Sequence, residues 1–240
     1  HTAELNRILG TAEYHFGKYH EAVKSFGQYI EHNAESAAHR RDALYMLGMS
    51  YYQCGVYSQV PSVLGRVTAE NDALSQNAYL YLGQSYLKLK DKNNARMAFE
   101  AAATSSFDKQ VKEAAMYNYA LLIHETAFTG FGESVTIFED FLNDFPNSKY
   151  ADKVNDYLVE VYLTTKNYQA ALNSIDKIKH PSTKILEAKQ DILFQLGTQA
   201  FTNMELDKAV DLFSRAISLG AYNLESRNDA YFWRGESYYR

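Results

Sequence analysis

The sequence contains very little of several features, and each shortage excludes a class of protein. Its single cysteine, Cys54, excludes an intrachain disulfide. No apolar run approaches the roughly 18 residues that cross a bilayer, so we expect neither a membrane span nor a retained signal peptide. The 24 Lys and Arg residues are scattered and the net charge is −5. The basic face that nucleic-acid binding requires is therefore not visible.

Apolar and aromatic side chains, in contrast, are plentiful. Of the 240 residues, 46% are hydrophobic, and there are 20 tyrosines and 13 phenylalanines against one tryptophan, with only 3 prolines. This is enough material for a large core. Together with the charged fraction of 22%, it is typical of a soluble folded protein and not of a disordered one. The tyrosine excess is the compositional feature that most needs an explanation.

A repeated two-part pattern runs along the chain. Leu47-Gly48 and Leu82-Gly83 are each followed three residues later by a tyrosine, and Leu9-Gly10 and Leu196-Gly197 repeat the pair. Downstream of each unit, a small residue is followed four residues later by a bulky apolar one, at spacings of 38, 35, 39, 37 and 38 residues. The six pairs are Ala22/Phe26, Val60/Leu64, Ala95/Phe99, Ser134/Phe138, Ala171/Ile175 and Ala209/Phe213.

This pattern resembles the tetratricopeptide repeat family, in which W-x2-L-G-x2-Y is followed by A-x3-F and then P in units of about 34 residues. The resemblance implies an all-α fold, a right-handed superhelical solenoid of antiparallel helix hairpins with six tetratricopeptide-like repeats plus one extra helix. We expect a single solenoid over residues 1–240. Its predicted repeats are 3–39, 41–75, 76–113, 115–150, 152–188 and 190–226, with a partial seventh at 228–240.

Packing requirements give this pattern a physical basis. Small residues allow the two helices of a hairpin to approach closely, and the bulky residue is expected to fill the layer between successive hairpins. A single hairpin cannot bury both of its faces, so hairpins stack and the first helices line a concave side. The aromatic-rich helix of the partial seventh repeat has no second helix after it. We therefore expect this chain to be part of a longer multi-repeat protein.

The sequence contains no catalytic, cofactor or metal-binding constellation. His124-Glu125 begins as a zinc-protease motif does, but Phe128 stands where the second histidine is needed. The Gly130-Phe131-Gly132 stretch lacks the third glycine and the Lys-Ser/Thr of a phosphate loop. Cys54 has no neighbouring residue in sequence that would activate its thiol. We therefore expect no enzymatic activity, no cofactor and no metal.

The resemblance also implies a binding surface, because in this family fixed positions on the first helices line a peptide groove. Among the residues of this chain at such positions, those in the middle of the chain are mostly aromatic or aliphatic, and we predict twelve as groove residues. They are Tyr14, Tyr45, Met49, Tyr52, Leu80, Gln84, Leu87, Tyr119, Ile123, Asp156, Glu160 and Phe194.

The favoured interpretation is a non-enzymatic protein–protein interaction scaffold that binds a peptide or protein segment on its concave face, without nucleic acid and without direct membrane insertion. One alternative is a small-ligand or glycan-binding module, because tyrosine faces in a neutral groove can stack on sugar rings. Another is a structural spacer that self-associates through the C-terminal helix. The stretch 138–151 resembles repeat units of bacterial cell-envelope proteins, which favours the periplasm or cell envelope over the cytoplasm.

Overall fold

The computed structural model describes residues 2–32, 37–126 and 131–240, and within these ranges every regular element is a helix. The short 3-10 turn Tyr57–Gln59 precedes the shortest α-helix. The α-helices in chain order are α1 Thr2–His15, α2 Tyr19–Glu31, α3 Ala37–Gln53, α4 Val60–Leu64, α5 Ala73–Lys88, α6 Lys92–Thr104, α7 Lys109–Thr126, α8 Glu133–Asp144, α9 Ala151–Thr164, α10 Tyr168–Ile175, α11 Thr183–Thr202, α12 Leu206–Ser218 and α13 Leu224–Tyr239.

These helices form two compact units: unit 1 is His1–Leu122 and unit 2 is Ile123–Arg240. In unit 1, each helix from α1 to α5 packs on the next one, and α1, α3 and α5 also contact one another in turn. In unit 2, α10 to α13 pack in the same sequential way, and α9, α11 and α13 contact one another in turn. Contacts between helices that are adjacent or next but one in sequence define a solenoid of helix hairpins. The predicted all-α fold class is confirmed.

The small and bulky residues of the repeated pairs lie at the centre of the hairpins. All six bulky members are at most 1% exposed, and all six small members are at most 3% exposed. In four hairpins the bulky residue packs against the glycine of its own hairpin, so its role there is not limited to the layer between hairpins. A Cβ built on Gly83 would lie 2.7 Å from the ring of Phe99, and one on Gly197 would lie 2.6 Å from the ring of Phe213. These glycines set the distance between the paired helices.

Four hairpins have the same type of turn between their two helices. The turn residue has a left-handed backbone conformation, which only glycine adopts without cost. Gly17 and Gly55 occupy this place with φ of 73° and 74°, whereas Lys90 and Met204 occupy it with φ of 61°. In each case the next amide donates to the carbonyl five residues earlier, as Asp91 N does to Tyr86 O at 2.9 Å. The hydrogen bonds of this turn therefore hold even where the sequence has no glycine.

Buried polar side chains fasten the linkers between successive hairpins. Gln76, at the start of α5, donates through Nε2 to the carbonyl oxygens of Ala102, Ser105 and Asp108 at 3.1, 2.8 and 3.3 Å. Its Oε1 accepts from the amide of Asp108 at 2.8 Å. Because Gln76 is 1% exposed, these groups satisfy one another without water. We call a side chain with this role a linker clamp.

The same position carries a linker clamp in two other hairpins. In α11, Gln190 Nε2 donates to Ala216 O and Gly220 O at 2.8 and 2.7 Å, while its Oε1 accepts from the amides of Tyr222 and Asn223 at 3.2 and 2.5 Å. Gln76 and Gln190 each precede the Leu of their Leu-Gly pair by six residues. The clamp therefore recurs with the repeat.

Arg41 is the third linker clamp, with a charged head in place of the amide. Its Nε donates to Val67 O at 3.0 Å, and its other two nitrogens donate to the carboxylate of Asp72 at 2.7 and 2.8 Å. This hydrogen-bonded pair, together with the amide of Ser75, holds the pKa of Asp72 well below its usual range. Asp72 is also the N-cap of α5, so one carboxylate both caps a helix and ties down the preceding linker.

A buried carboxyl group lies where α8, α9 and α10 meet in unit 2. Glu139 accepts a short hydrogen bond from Ser174 Oγ, which in turn is 2.7 Å from the hydroxyl oxygen of Tyr162. Burial raises the pKa of Glu139, the hydrogen bond from Ser174 and the nearby Lys177 oppose the rise, and Asp140 adds to it. The protonated form is therefore favoured by folding.

This shift predicts how the stability of unit 2 depends on pH. Because the folded pKa of Glu139 is raised, its favourable contribution is complete below the ordinary glutamate pKa and is lost as the pH rises through the raised value. Glu139→Gln should therefore gain unfolding free energy relative to the wild type as the pH is raised from about 4 to 8. Urea unfolding at several pH values measures this difference. The exposed Glu100→Gln is the matched control, and a difference that stays constant for Glu139→Gln would contradict the prediction.

Candidate functional site

The predicted groove residues differ widely in accessibility. In unit 1, Tyr14, Tyr45, Tyr52, Gln84 and Leu87 are partly exposed. Met49, Leu80 and Tyr119 are buried, as is Ile123 of unit 2, each at most 7% exposed. These four can contact a partner only through the few atoms that they expose. In unit 2, Asp156 and Glu160 on α9 are exposed, and Phe194 on α11 is partly exposed, with its ring 5.9 Å from that of Phe213.

Four partly exposed tyrosines on the first helices of unit 1 influence one another. We call them the tyrosine cluster; its members are Tyr14 on α1, Tyr45 and Tyr52 on α3, and Tyr81 on α5. The Tyr52 ring lies edge-on to that of Tyr81, with 4.9 Å between the centroids, and its hydroxyl donates to Gln84 Oε1 at 2.6 Å. Asn77 Nδ2 donates to the Tyr45 hydroxyl oxygen at 2.9 Å. These contacts join α3 to α5.

Burial shifts the titration of three members of the tyrosine cluster. Burial is the first cause that raises the pKa of Tyr14, Tyr45 and Tyr52, and the Tyr81 hydroxyl adds a further rise in each case. At neutral pH the three side chains therefore present uncharged rings and hydroxyl groups. The surface can accept or donate hydrogen bonds without attracting ions.

Tyr81 is the member that the sequence did not assign. It lies one residue before the Leu-Gly pair of its helix and is not among the twelve predicted groove residues. One signal was available, because Tyr79, Tyr81 and Tyr86 all fall within α5 and three large side chains so spaced do not share one face of a helix.

A cavity of about 380 Å³ lies in unit 2 between the first helices of successive hairpins. Val159 and Leu163 of α9 line it together with Glu187, Ala188 and Asp191 of α11. Further lining comes from Lys184 and Asn223. Lys184 forms an ion pair with Asp156 of the predicted groove, with 2.5 Å between Lys184 Nζ and Asp156 Oδ1. We call this the α9–α11 cavity.

The C-terminal helix α13 has several large aromatic side chains on its surface. Their exposed fractions run from 46% to 89% for Tyr231, Phe232, Tyr238 and Tyr239. The ring of Trp233, on the same helix, packs edge-on against Phe201 of α11 with 5.1 Å between centroids. Self-association through this helix stays a prediction.

The described ranges, residues 2–32, 37–126 and 131–240, also bear on metal and membrane sites. There, no three His, Cys, Asp or Glu side chains are grouped so that they could hold a metal ion. No helix in those ranges has the length and apolar character that crossing a bilayer requires. Burial is the first cause that raises the pKa of the Cys54 thiol. Phe128 and Gly130, which entered the sequence argument on catalysis, lie outside the described residues.

Comparison with protein families gives a match within unit 1. The family model described as tetratricopeptide repeat matches residues 77–105, the stretch that holds most of α5 and all of α6. Residues 77–105 are thus similar to a tetratricopeptide repeat. The resemblance recognised in the sequence is thereby confirmed, and the matched segment contains Tyr81, Gln84 and Leu87. No curated protein matches the chain.

Solved structures of tetratricopeptide repeat proteins are similar at low identity. A tetratricopeptide repeat protein from Parabacteroides merdae is 20% identical, covers 95% of this chain and 82% of its own, and has a TM-score of 0.46. The pilF protein of Pseudomonas aeruginosa is 15% identical, with coverages of 95% and 96% and a TM-score of 0.47. The TPR2AB domain of yeast Sti1, in its complex with pHSP90, is 13% identical, with coverages of 99% and 97% and a TM-score of 0.43.

Proposed function

We propose that the chain is a non-enzymatic protein-interaction module that binds a peptide or protein segment along the first helices of its hairpins. The observation that carries the proposal is the tyrosine cluster, which presents partly exposed neutral phenols on α1, α3 and α5. Tyrosine is enriched at protein interfaces, because its ring offers a large contact area while its hydroxyl group finds a hydrogen-bond partner. A surface of this chemistry suits uncharged side chains and accessible backbone amides of a partner.

The hydrogen bonds inside the cluster support a binding role. Tyr52 is oriented by Gln84 and Tyr45 by Asn77, so both rings keep their positions before a partner arrives. Binding then costs less side-chain entropy than it would with freely rotating rings. The periplasmic or cell-envelope location stays a prediction that rests on the stretch 138–151.

Selection from a phage-displayed library of random linear peptides tests this function. We expect peptides selected on the wild-type chain to bind Tyr52→Ala at least about tenfold more weakly, a loss typical of a residue central to an interface. Tyr52→Phe keeps the ring and loses the bond to Gln84, so its loss should be smaller. Tyr239→Ala removes a highly exposed tyrosine from α13 and should bind as the wild type does.

Two results would overturn the proposal. If the selected peptides bind Tyr52→Ala and Tyr239→Ala equally well, the segment does not lie on the tyrosine cluster. If no peptide is selected and a glycan array binds the chain in a way that Tyr52→Ala abolishes, the cluster stacks on sugar rings. The glycan-binding interpretation then replaces this one.

A further inference from the structure

The α9–α11 cavity combines aliphatic and carboxylate lining in one small volume. Its size of about 380 Å³ falls within the range of roughly 300–1,000 Å³ that ligand pockets occupy. Val159, Leu163 and Ala188 supply apolar surface, and Leu163 is 51% exposed although it is a leucine. Exposed aliphatic surface beside a cavity gains from being covered by the apolar part of a ligand.

The charged groups of the cavity are not balanced by one another. Within the described part of the chain, Lys184 is the only cationic residue that lines it, and its Nζ is held by Asp156 at 2.5 Å. Among the same residues, Glu187 forms neither a hydrogen bond nor an ion pair through its carboxylate. The side chain of Asp191 accepts from Ser226 Oγ at 3.1 Å and from Gln195 Nε2 at 3.5 Å, both through Oδ1. Glu187 and Oδ2 of Asp191 are thus left for a ligand.

We propose that the α9–α11 cavity binds an arginine side chain of a protein partner. That the arginine belongs to a protein partner rests on the proposed function. The guanidinium group pairs with the carboxylates of Glu187 and Asp191, and the methylene chain lies on Val159 and Leu163. Arginine matches this lining because it joins an apolar stem to a planar, weakly hydrated cation that pairs with carboxylates. An anionic side chain would meet two uncompensated carboxylates, and a purely aliphatic one would leave them desolvated without a partner.

The chemistry can be tested with the arginine side chain alone, without a known partner. The probe is Nα-acetyl-arginine methylamide, titrated into the full chain while the methyl signals of Val159 and Leu163 are followed by NMR. The neutral analogue Nα-acetyl-citrulline methylamide has nearly the same shape and lacks the charge. We expect saturable shifts with the arginine probe and binding at least about tenfold weaker with citrulline, because charge-assisted hydrogen bonds are lost.

Three variants separate direct pairing from a general change in structure. Glu187→Gln, at an exposed position, should weaken arginine binding by about tenfold. Lys184→Met removes the competing cation and frees Asp156, so it should strengthen binding, an effect that mere structural damage would not produce. Glu225→Gln removes another exposed carboxylate of unit 2 and should leave binding unchanged.

The inference is overturned if citrulline and arginine shift the methyl signals equally, if no saturable shift occurs, or if Glu187→Gln binds as the wild type does. These outcomes are distinct from failure of the proposed function. Arginine binding with no peptide selected would refute the peptide-binding role and leave the cavity chemistry standing. Peptides that depend on Tyr52, with no response to the arginine probe, would refute only the cavity assignment.

Discussion

Replacing Gln190 with Ala is expected to lower the free energy of unfolding of unit 2 by about 2–4 kcal/mol. The substitution removes four hydrogen bonds and leaves the carbonyl of Ala216 buried without its partner. An unsatisfied buried polar group costs about 1–3 kcal/mol, and the cavity left by the amide adds to this loss. Gln76→Ala should have a comparable effect on unit 1, because Gln76 makes the same kind of contacts.

Urea unfolding combined with amide hydrogen exchange measures this effect. In Gln190→Ala the amides of Tyr222 and Asn223, which donate to the lost oxygen, should exchange faster than in the wild type. Gln199→Ala is the matched control on the same helix, since Gln199 is exposed and its removal should change stability by no more than about 0.5 kcal/mol. Equal unfolding curves for the two variants would show that the linker clamp contributes nothing to stability.

The second large effect is that a Gly→Ala substitution changes the unfolding free energy in opposite directions at different positions. Gly83→Ala and Gly197→Ala should each lower the unfolding free energy by about 1–3 kcal/mol, because the new methyl group meets a fully buried phenylalanine ring. Gly27→Ala, in the middle of α2 with nothing within 4 Å of the new Cβ, should instead raise it by about 0.5–1 kcal/mol through better helix propensity. Thermal or urea unfolding of the three variants decides the matter. A gain in stability for Gly83→Ala would contradict the close packing of α5 on α6.

The fold class could be predicted because the repeat constrains the same few positions again and again. A small residue such as Ala95 precedes a bulky one such as Phe99 by four residues in each predicted repeat, so the requirement appears in the sequence six times at nearly constant spacing. Turn conformations were less visible. Lys90 and Met204 adopt the backbone conformation that Gly17 and Gly55 adopt, because tertiary packing of the two helices overrides the preference of the turn residue.

The linker clamps could not be predicted from one sequence. Gln76 and its acceptors lie 26 to 32 residues apart, and nothing near Gln76 distinguishes a buried glutamine from a solvated one. Arg41 shows the same difficulty, because an arginine at a helix start is more often exposed. These partners come together only in the folded structure, where each linker lies beside the start of the first helix of its hairpin.

For the candidate site, the sequence could indicate the helix face but not the depth of each side chain. Tyr45 and Met49 lie one turn apart on α3, yet Tyr45 is partly exposed and Met49 is buried. The difference arises because α1 and α5 both pack beside α3 and cover its positions unequally. The α9–α11 cavity escaped prediction for a similar reason, since Leu163 and Glu187 face it from helices of two different hairpins.

The linker clamps also bear on how cooperatively the array unfolds. Gln76 connects the start of α5 with the end of α6 and with the linker that precedes α7, so α5 and α6 cannot separate from that linker without losing the same hydrogen bonds. In a repeat array, the sharpness of unfolding depends on the strength of such nearest-neighbour coupling relative to the stability of each repeat. In unit 1 the first hairpin has Ala3 at this position and so lacks this clamp. We therefore expect the first openings of unit 1 to occur at this hairpin, which has no linker clamp.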